Sequence, residues 1–385
     1  MEQRRVAGKG HWYHETQSSL CHAEVLPLAP EAALVEDRLM LDSAFPAPLA
    51  SAHRHWLACA RSLAEQFFPA RVTTDRLHTL SSYDRLSTAL TVAQVYGVQR
   101  LCNHYAARLA PEPGPDSSRE SNRRLTQITQ YARQLASQPT LITPGATQQL
   151  VEVGLSDEDI VTFHQIIGFI GFQARLVAVA QALSDQPARW LPGMETRQDA
   201  SAECFAAPVP HWTPTLEKPA PGYLSDAQLA AIRQTDGHPL LSPLSDLLAL
   251  NAPALTLFAD LLTQSQFSAP HGTLHQTVML LTSRINGSAD CFYQLTRAWP
   301  GDPGLPEAMR NGERALMAWC HHSPREQALI PALQIFIRTP DRFGPPQLKP
   351  FSEQGIDADT TLSLLACSAL TGWINRLKSG LGYCA

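Results

Sequence analysis

Apolar residues recur along this chain with the period of a helix. Leu86, Ala89, Leu90 and Ala93 fall at i, i+3, i+4 and i+7, which lines one helical face. Ile160, Phe163, Ile167 and Ile170 repeat the spacing, and Leu329, Leu333 and Phe336 carry it into the second half. No segment shows the strict apolar–polar alternation of a half-buried strand. Helix starts are marked as well. Ser81-Ser-Tyr-Asp84, Ser156-Asp-Glu-Asp159, Ser225-Asp-Ala-Gln228 and Ser323-Pro-Arg-Glu326 read as capping boxes. In such a box the Ser oxygen accepts from the third helical N–H and the acid or amide reaches back to the Ser N–H. Pro324 suits the first helical position, where its missing N–H has no helical role. The pattern predicts an all-α fold.

Periodicity stops in residues 186–223, which hold Pro187, Pro192, Pro208, Pro210, Pro214, Pro219 and Pro221. Proline at that density cannot continue a helix and stiffens a connection. The chain of 385 residues therefore divides into an N-terminal extension (1–49), a helical domain (50–185), a proline-rich linker (186–223) and a second helical domain (224–385).

The two helical regions carry matching landmarks. Gly154-Leu-Ser-Asp-Glu-Asp precedes Gly-Phe-Gln-Ala-Arg175-Leu176, and Gly355-Ile-Asp-Ala-Asp-Thr precedes Gly-Trp-Ile-Asn-Arg376-Leu377 at the same spacing. Gly171 matches Gly372, Phe172 matches Trp373, and Val95-Tyr-Gly97 matches Ile285-Asn-Gly287. Two copies of one helical unit are expected. Arg175 and Arg376 sit late on apolar helices, where a buried guanidinium needs partners. They are expected to tie helix ends, or carboxylates such as Asp84, within each unit.

Composition narrows the function. Hydrophobic residues make up 44% and charged residues 17%, against about 25% charged in a typical soluble domain. That balance is opposite to a disordered chain. The net charge of −5, without any Lys/Arg-rich run, speaks against a nucleic-acid partner. The apolar stretch from Ile160 to Leu183 is interrupted by His164, Gln165, Gln173 and Arg175, so no membrane partner is expected. No apolar run follows the first basic residues, and a cytoplasmic location is expected. The eight cysteines are scattered with no Cys-x-x-Cys, which predicts reduced thiols and no zinc site. Neither a metal nor a cofactor is expected.

The repeated unit resembles the carboxymuconolactone decarboxylase/AhpD-like alkylhydroperoxidase superfamily, over roughly residues 50–185 and 225–383. There a helix runs into an Asn-Gly-Cys-x-x-Cys-x-x-x-His segment, and a later helix opens on a Gly-Leu-Ser-Asp-Glu-type cap and ends near Asn-Arg-Leu. The later helix matches twice here. The resemblance implies a tandem of two AhpD-like helical domains that forms homo-oligomers. It also implies a thiol-based, peroxidase-related oxidoreductase acting on a small-molecule peroxide or thiol.

The motif itself is degenerate. After Asn286-Gly287, the first cysteine is Ser288, the second is Cys291 and the histidine is Leu295, while the upstream glutamate falls on Gln276. Cys291 and Ser288 are one candidate pair, since i and i+3 share a helical face. Cys102 and His104 are a second, although i and i+2 point apart. A peroxide-oxidised thiol needs a second sulfur to resolve it, so a distant cysteine or an external thiol must serve. A non-catalytic scaffold or small-ligand-binding protein is the alternative. A decarboxylase-like lyase would require His104 and His275 to share a cavity.

Overall fold

A computed structural model describes residues 29–190, 196–267 and 272–384. Most of the N-terminal extension, with Cys21, lies outside the described residues, as does Pro192. The first half contains α1 (Ala47–Ala52), α2 (Arg54–Phe67), α3 (Ser82–Tyr96), α4 (Gln99–Leu109), α5 (Arg119–Ser137), α6 (Pro144–Glu152) and α7 (Asp157–Leu183). The second contains α8 (Asp226–Thr235), α9 (Ser245–Leu248), α10 (Ala252–Gln264), α11 (Gly272–Asn286) and α12 (Ala289–Arg297). It continues with α13 (Gly304–Arg310), α14 (Glu313–Cys320), α15 (Pro324–Arg338), α16 (Pro345–Glu353) and α17 (Ala358–Leu381). The all-α expectation holds. The strands β1 (Trp212–Pro214) and β2 (Gly382–Cys384) pair antiparallel, with Trp212 opposite Cys384. Three residues per strand are too few to show an alternation in sequence.

Three of the four capping boxes close, at Ser81, Ser156 and Ser225. The fourth does not. Ser323 turns its hydroxyl to the Glu326 carboxylate instead of accepting a backbone N–H, while Pro324 still opens the helix.

The box at Ser156 does more than start a helix. Asp159 also accepts from the Thr79 N–H (2.7 Å), the Thr79 hydroxyl (2.6 Å) and the Leu80 N–H (3.1 Å). It ties the start of α7 to the turn before α3. Asp159→Ala would leave buried donors unpaired, at about 1–3 kcal/mol each. We expect about 3 kcal/mol of lost stability in urea unfolding; a loss below about 1 kcal/mol would contradict this role.

The run from α5 to α7 recurs in the run from α15 to α17. Helices α5 and α15 end at Ser137 and Arg338, and α6 and α16 begin at Pro144 and Pro345. Helices α7 and α17 begin at Asp157 and Ala358, so each pair stands 201 residues apart. The turns agree as well: Gly154 and Gly355 have φ of +88° and +73°, and Gly97 and Gly287 have +71° and +77°. That left-handed region is open to glycine at little cost, which explains the glycine at each of these four turns.

The halves share one continuous core. Helix α7 packs along α17 and α2 along α10. The ring of Trp373 on α17 lies 4.5 Å from Phe258, 5.7 Å from Phe169, 5.8 Å from Phe172 and 6.2 Å from Phe67. By length and composition alone, Asp157–Leu183 and Ser242–Gln264 could cross a membrane. The apolar stretch of the first is 89% buried against the rest of this fold.

The proline-rich segment is fastened to the second half. Arg338 holds Asp199 through two bonds of 2.6 and 2.7 Å, and the Trp212 indole donates to the Lys378 carbonyl at 2.8 Å.

Candidate functional site

Helix α11 ends at Asn286, and Gly287 turns the chain into α12. A Cβ at Gly287 would stand 2.1 Å from the Thr140 methyl, so this tight turn requires glycine twice over, for conformation and for space. Ser288 is the N-cap of α12 but makes no capping bond with its side chain. Its hydroxyl stands one turn before the Cys291 thiol on the same face and favours the thiolate. The Asn375 amide of α17 acts on the thiol in the same direction. That amide is held by Ser283 at 3.2 Å and by Asn286 at 3.1 Å.

Beside this thiol lies a buried ion pair that sequence reasoning missed. Lys378 Nζ of α17 reaches Asp290 Oδ2 of α12 at 2.8 Å, with the two side chains only 2% and 8% exposed. The ammonium also lies 4.5 Å from the centre of the Trp212 ring. A signal for it exists. Asn375 and Lys378 are polar residues at i and i+3 on an otherwise apolar helix, so they share a face.

Cys291 is completely buried. Burial pushes its thiol up to about 11; Asp290 adds to this, while Lys378, Ser288 and Asn375 oppose it. At neutral pH it is a protonated thiol. Cys384 of β2 is exposed, and the backbone of Asp290, the residue before Cys291, favours its thiolate. Loss of water on that side raises the Cys384 thiol, and Asp290 and Lys378 act on it too, in opposite directions. One ion pair therefore acts on two thiols. Cys384 carries no periodic signal, because a three-residue strand placed 93 positions downstream brings it there.

The second candidate pair is arranged differently. Burial, with Asp341 adding to it, pushes the Cys102 thiol up to about 12. His104 binds the Ala32 carbonyl through Nδ1 at 2.8 Å, and burial lowers its pKa to about 4. The imidazole thus ties the chain near residue 32 to α4, and no bond joins it to Cys102. His275 bonds to Ser363 at 3.0 Å, so the two histidines of the lyase idea have separate partners. Asp84 pairs with Arg124 at 3.2 Å and is not the partner of Arg175. Arg175 binds the carbonyls of Gly171 (2.8 Å) and Ile337 (2.5 Å).

A cleft of about 130 Å³ opens nearby, walled by Arg197, Asn286 and Arg338 among others, but Cys291 is not in its wall. Among the described residues, no group of three or more His, Cys, Asp or Glu is placed to hold a metal. Compared with known proteins, the chain matches no family model and no curated sequence.

Proposed function

We propose that the chain is a tandem AhpD-like helical protein and a thiol-based, peroxidase-related oxidoreductase, with Cys384 supplying the sulfur that the motif lacks at Ser288. The observation that carries this reading is that one buried ion pair, Asp290–Lys378, acts on both thiols. Exposed Cys384 attacks a peroxide as the thiolate. The O–O bond breaks, an alcohol or water leaves, and the sulfur becomes a sulfenic acid. The Cys291 sulfur then displaces the hydroxyl as water and closes a disulfide. An external dithiol returns both sulfurs to the reduced state. Both thiols are raised above their ordinary value, so the reactive thiolate is scarce at neutral pH and the rate rises with pH.

The test is peroxide treatment of the whole chain followed by peptide mapping without reductant. The expected product is a Cys291–Cys384 disulfide, forming faster at pH 9 than at pH 7. Cys291→Ser should leave a trappable sulfenic acid on Cys384. If neither sulfur is oxidised before the chain unfolds, the reading fails. The second reading, a scaffold or small-ligand-binding protein, is favoured by the complete burial of Cys291. Assembly into homo-oligomers rests on the resemblance alone, and light scattering tests it.

A further inference from the structure

Three guanidiniums surround one phenol in the centre of the molecule. The carbons of Arg197, Arg175 and Arg376 lie 4.7, 4.9 and 5.6 Å from the centre of the Tyr96 ring. Arg175, Arg376 and Tyr96 are each 1% exposed. Among the described residues, no carboxylate forms an ion pair with any of the three arginines. Apart from a 3.5 Å bond from Arg376 to the Asn286 amide oxygen, their hydrogen-bond partners are backbone carbonyls. Arg197 donates to Arg338 (2.6 Å), Ala136 (3.1 Å) and Ile337. Arg376 donates to Gly372 (2.8 Å) and Ala136 (3.1 Å).

Ala136 and Ile337 are 201 positions apart and lie in the last turns of α5 and α15. The negative ends of two helices therefore face the cluster. Each counts for about half an elementary charge, and even with the Asp341 carboxylate acting on Arg197 the cluster keeps a surplus of positive charge. The phenol also has a poor place for its proton. Its contact with the Ala136 oxygen is 3.5 Å long, and that oxygen already accepts from two guanidiniums. The three guanidiniums, by contrast, all favour a charged oxygen on Tyr96.

We propose that Tyr96 is an internal anion site: its ionised phenolate is the shared counter-ion of Arg175, Arg197 and Arg376, and it fastens the two halves together. The groups that face it are Arg175 from α7, Arg376 from α17 and Arg197 from the connecting segment. Asp341, from the turn after α15, lies against Gly97 and acts on Arg197. Burial alone would raise the phenol, but the three arginines outweigh it and bring its pKa down to about 8. A free tyrosine titrates near 10. Because the folded value is the lower one, the stabilisation is complete above about pH 10 and is lost as pH falls through about 8.

Ultraviolet difference titration at the tyrosinate band tests this on the full chain. One of the eight tyrosines should ionise with a midpoint near pH 8, well before the others, and the step should vanish in Tyr96→Phe. Arg197→Gln removes one cation and should move the midpoint upward. Carbon NMR of ring-labelled wild-type protein reads the same ionisation without any substitution. Absence of a tyrosinate signal below pH 9.5 in the folded wild type would overturn the proposal, as would an early step that persists in folded Tyr96→Phe.

Discussion

Lys378→Met is expected to lower stability by about 3–5 kcal/mol, because it strands the Asp290 carboxylate in a nearly dry site. The ammonium has no exposed route to replacement by water, since both partners are at most 8% exposed. The same change removes the cation over the Trp212 ring, which contributes about 0.5–2 kcal/mol in comparable contacts. Urea unfolding at neutral pH measures the sum. Replacing both partners, Asp290→Leu with Lys378→Met, should recover much of the loss, since a buried pair and a well-packed apolar pair are often close in stability. A single variant within about 1 kcal/mol of wild type would show that Asp290 finds water or another donor. The substitution has a chemical readout too. Lys378 opposes the burial that raises the Cys291 and Cys384 thiols, so in any folded Lys378→Met both thiols should be alkylated more slowly at a given pH.

Much of this architecture was legible because it depends on local rules. Helical spacing and caps act over three or four residues, so α3, α7 and α15 stand where the pattern puts them. The glycines of the repeat are legible for the same reason, since a left-handed turn is written into one residue. Ser323 is the exception. Its hydroxyl can accept from the Glu326 N–H or donate to the Glu326 carboxylate, and it donates to that carboxylate, which is also held by Arg325 at 2.6 Å. The candidate site was legible only in part. Ser288 and Cys291 belong to one turn and were found together. Lys378 and Cys384 arrive from α17 and β2, and their relation to α12 depends on packing over nearly a hundred residues. Arg175 had an equally misleading prospect. A buried cation calls for an anion, and Asp84 stands in the same half, but Arg175 donates to the carbonyls of Gly171 and Ile337, which leave no mark in sequence.

The contact between α7 and α17 supports the second large effect, which concerns Gly168 and Trp373. A Cβ built on Gly168 would stand 1.9 Å from Trp373 Cδ1 and 2.4 Å from Nε1. No rotation of a flexible side chain relieves this, because the indole is wedged among Phe67, Phe169, Phe172 and Phe258. Gly168→Ala should therefore cost about 3 kcal/mol, at the upper end of the range for overpacking. Trp373→Ala should cost about 3–5 kcal/mol through the cavity it leaves. The repeat offers a way to separate clash from helix propensity. At positions 201 residues away, Gly168 corresponds to Ala369 and Trp373 to Phe172. One copy thus combines a smaller helix residue with a larger ring in the other, and the reverse holds at the equivalent positions. Gly168→Ala combined with Trp373→Phe restores the Ala and Phe of the second set. If the two residues compete for one volume, the double variant should be more stable than the sum of the single changes by at least about 1 kcal/mol. Trp373→Phe also removes a buried indole N–H that has no partner among the described residues, which favours the same outcome. Additive losses in a chemical-denaturation cycle would show instead that the backbone of α7 shifts to make room, and that the glycine is not what seats the indole.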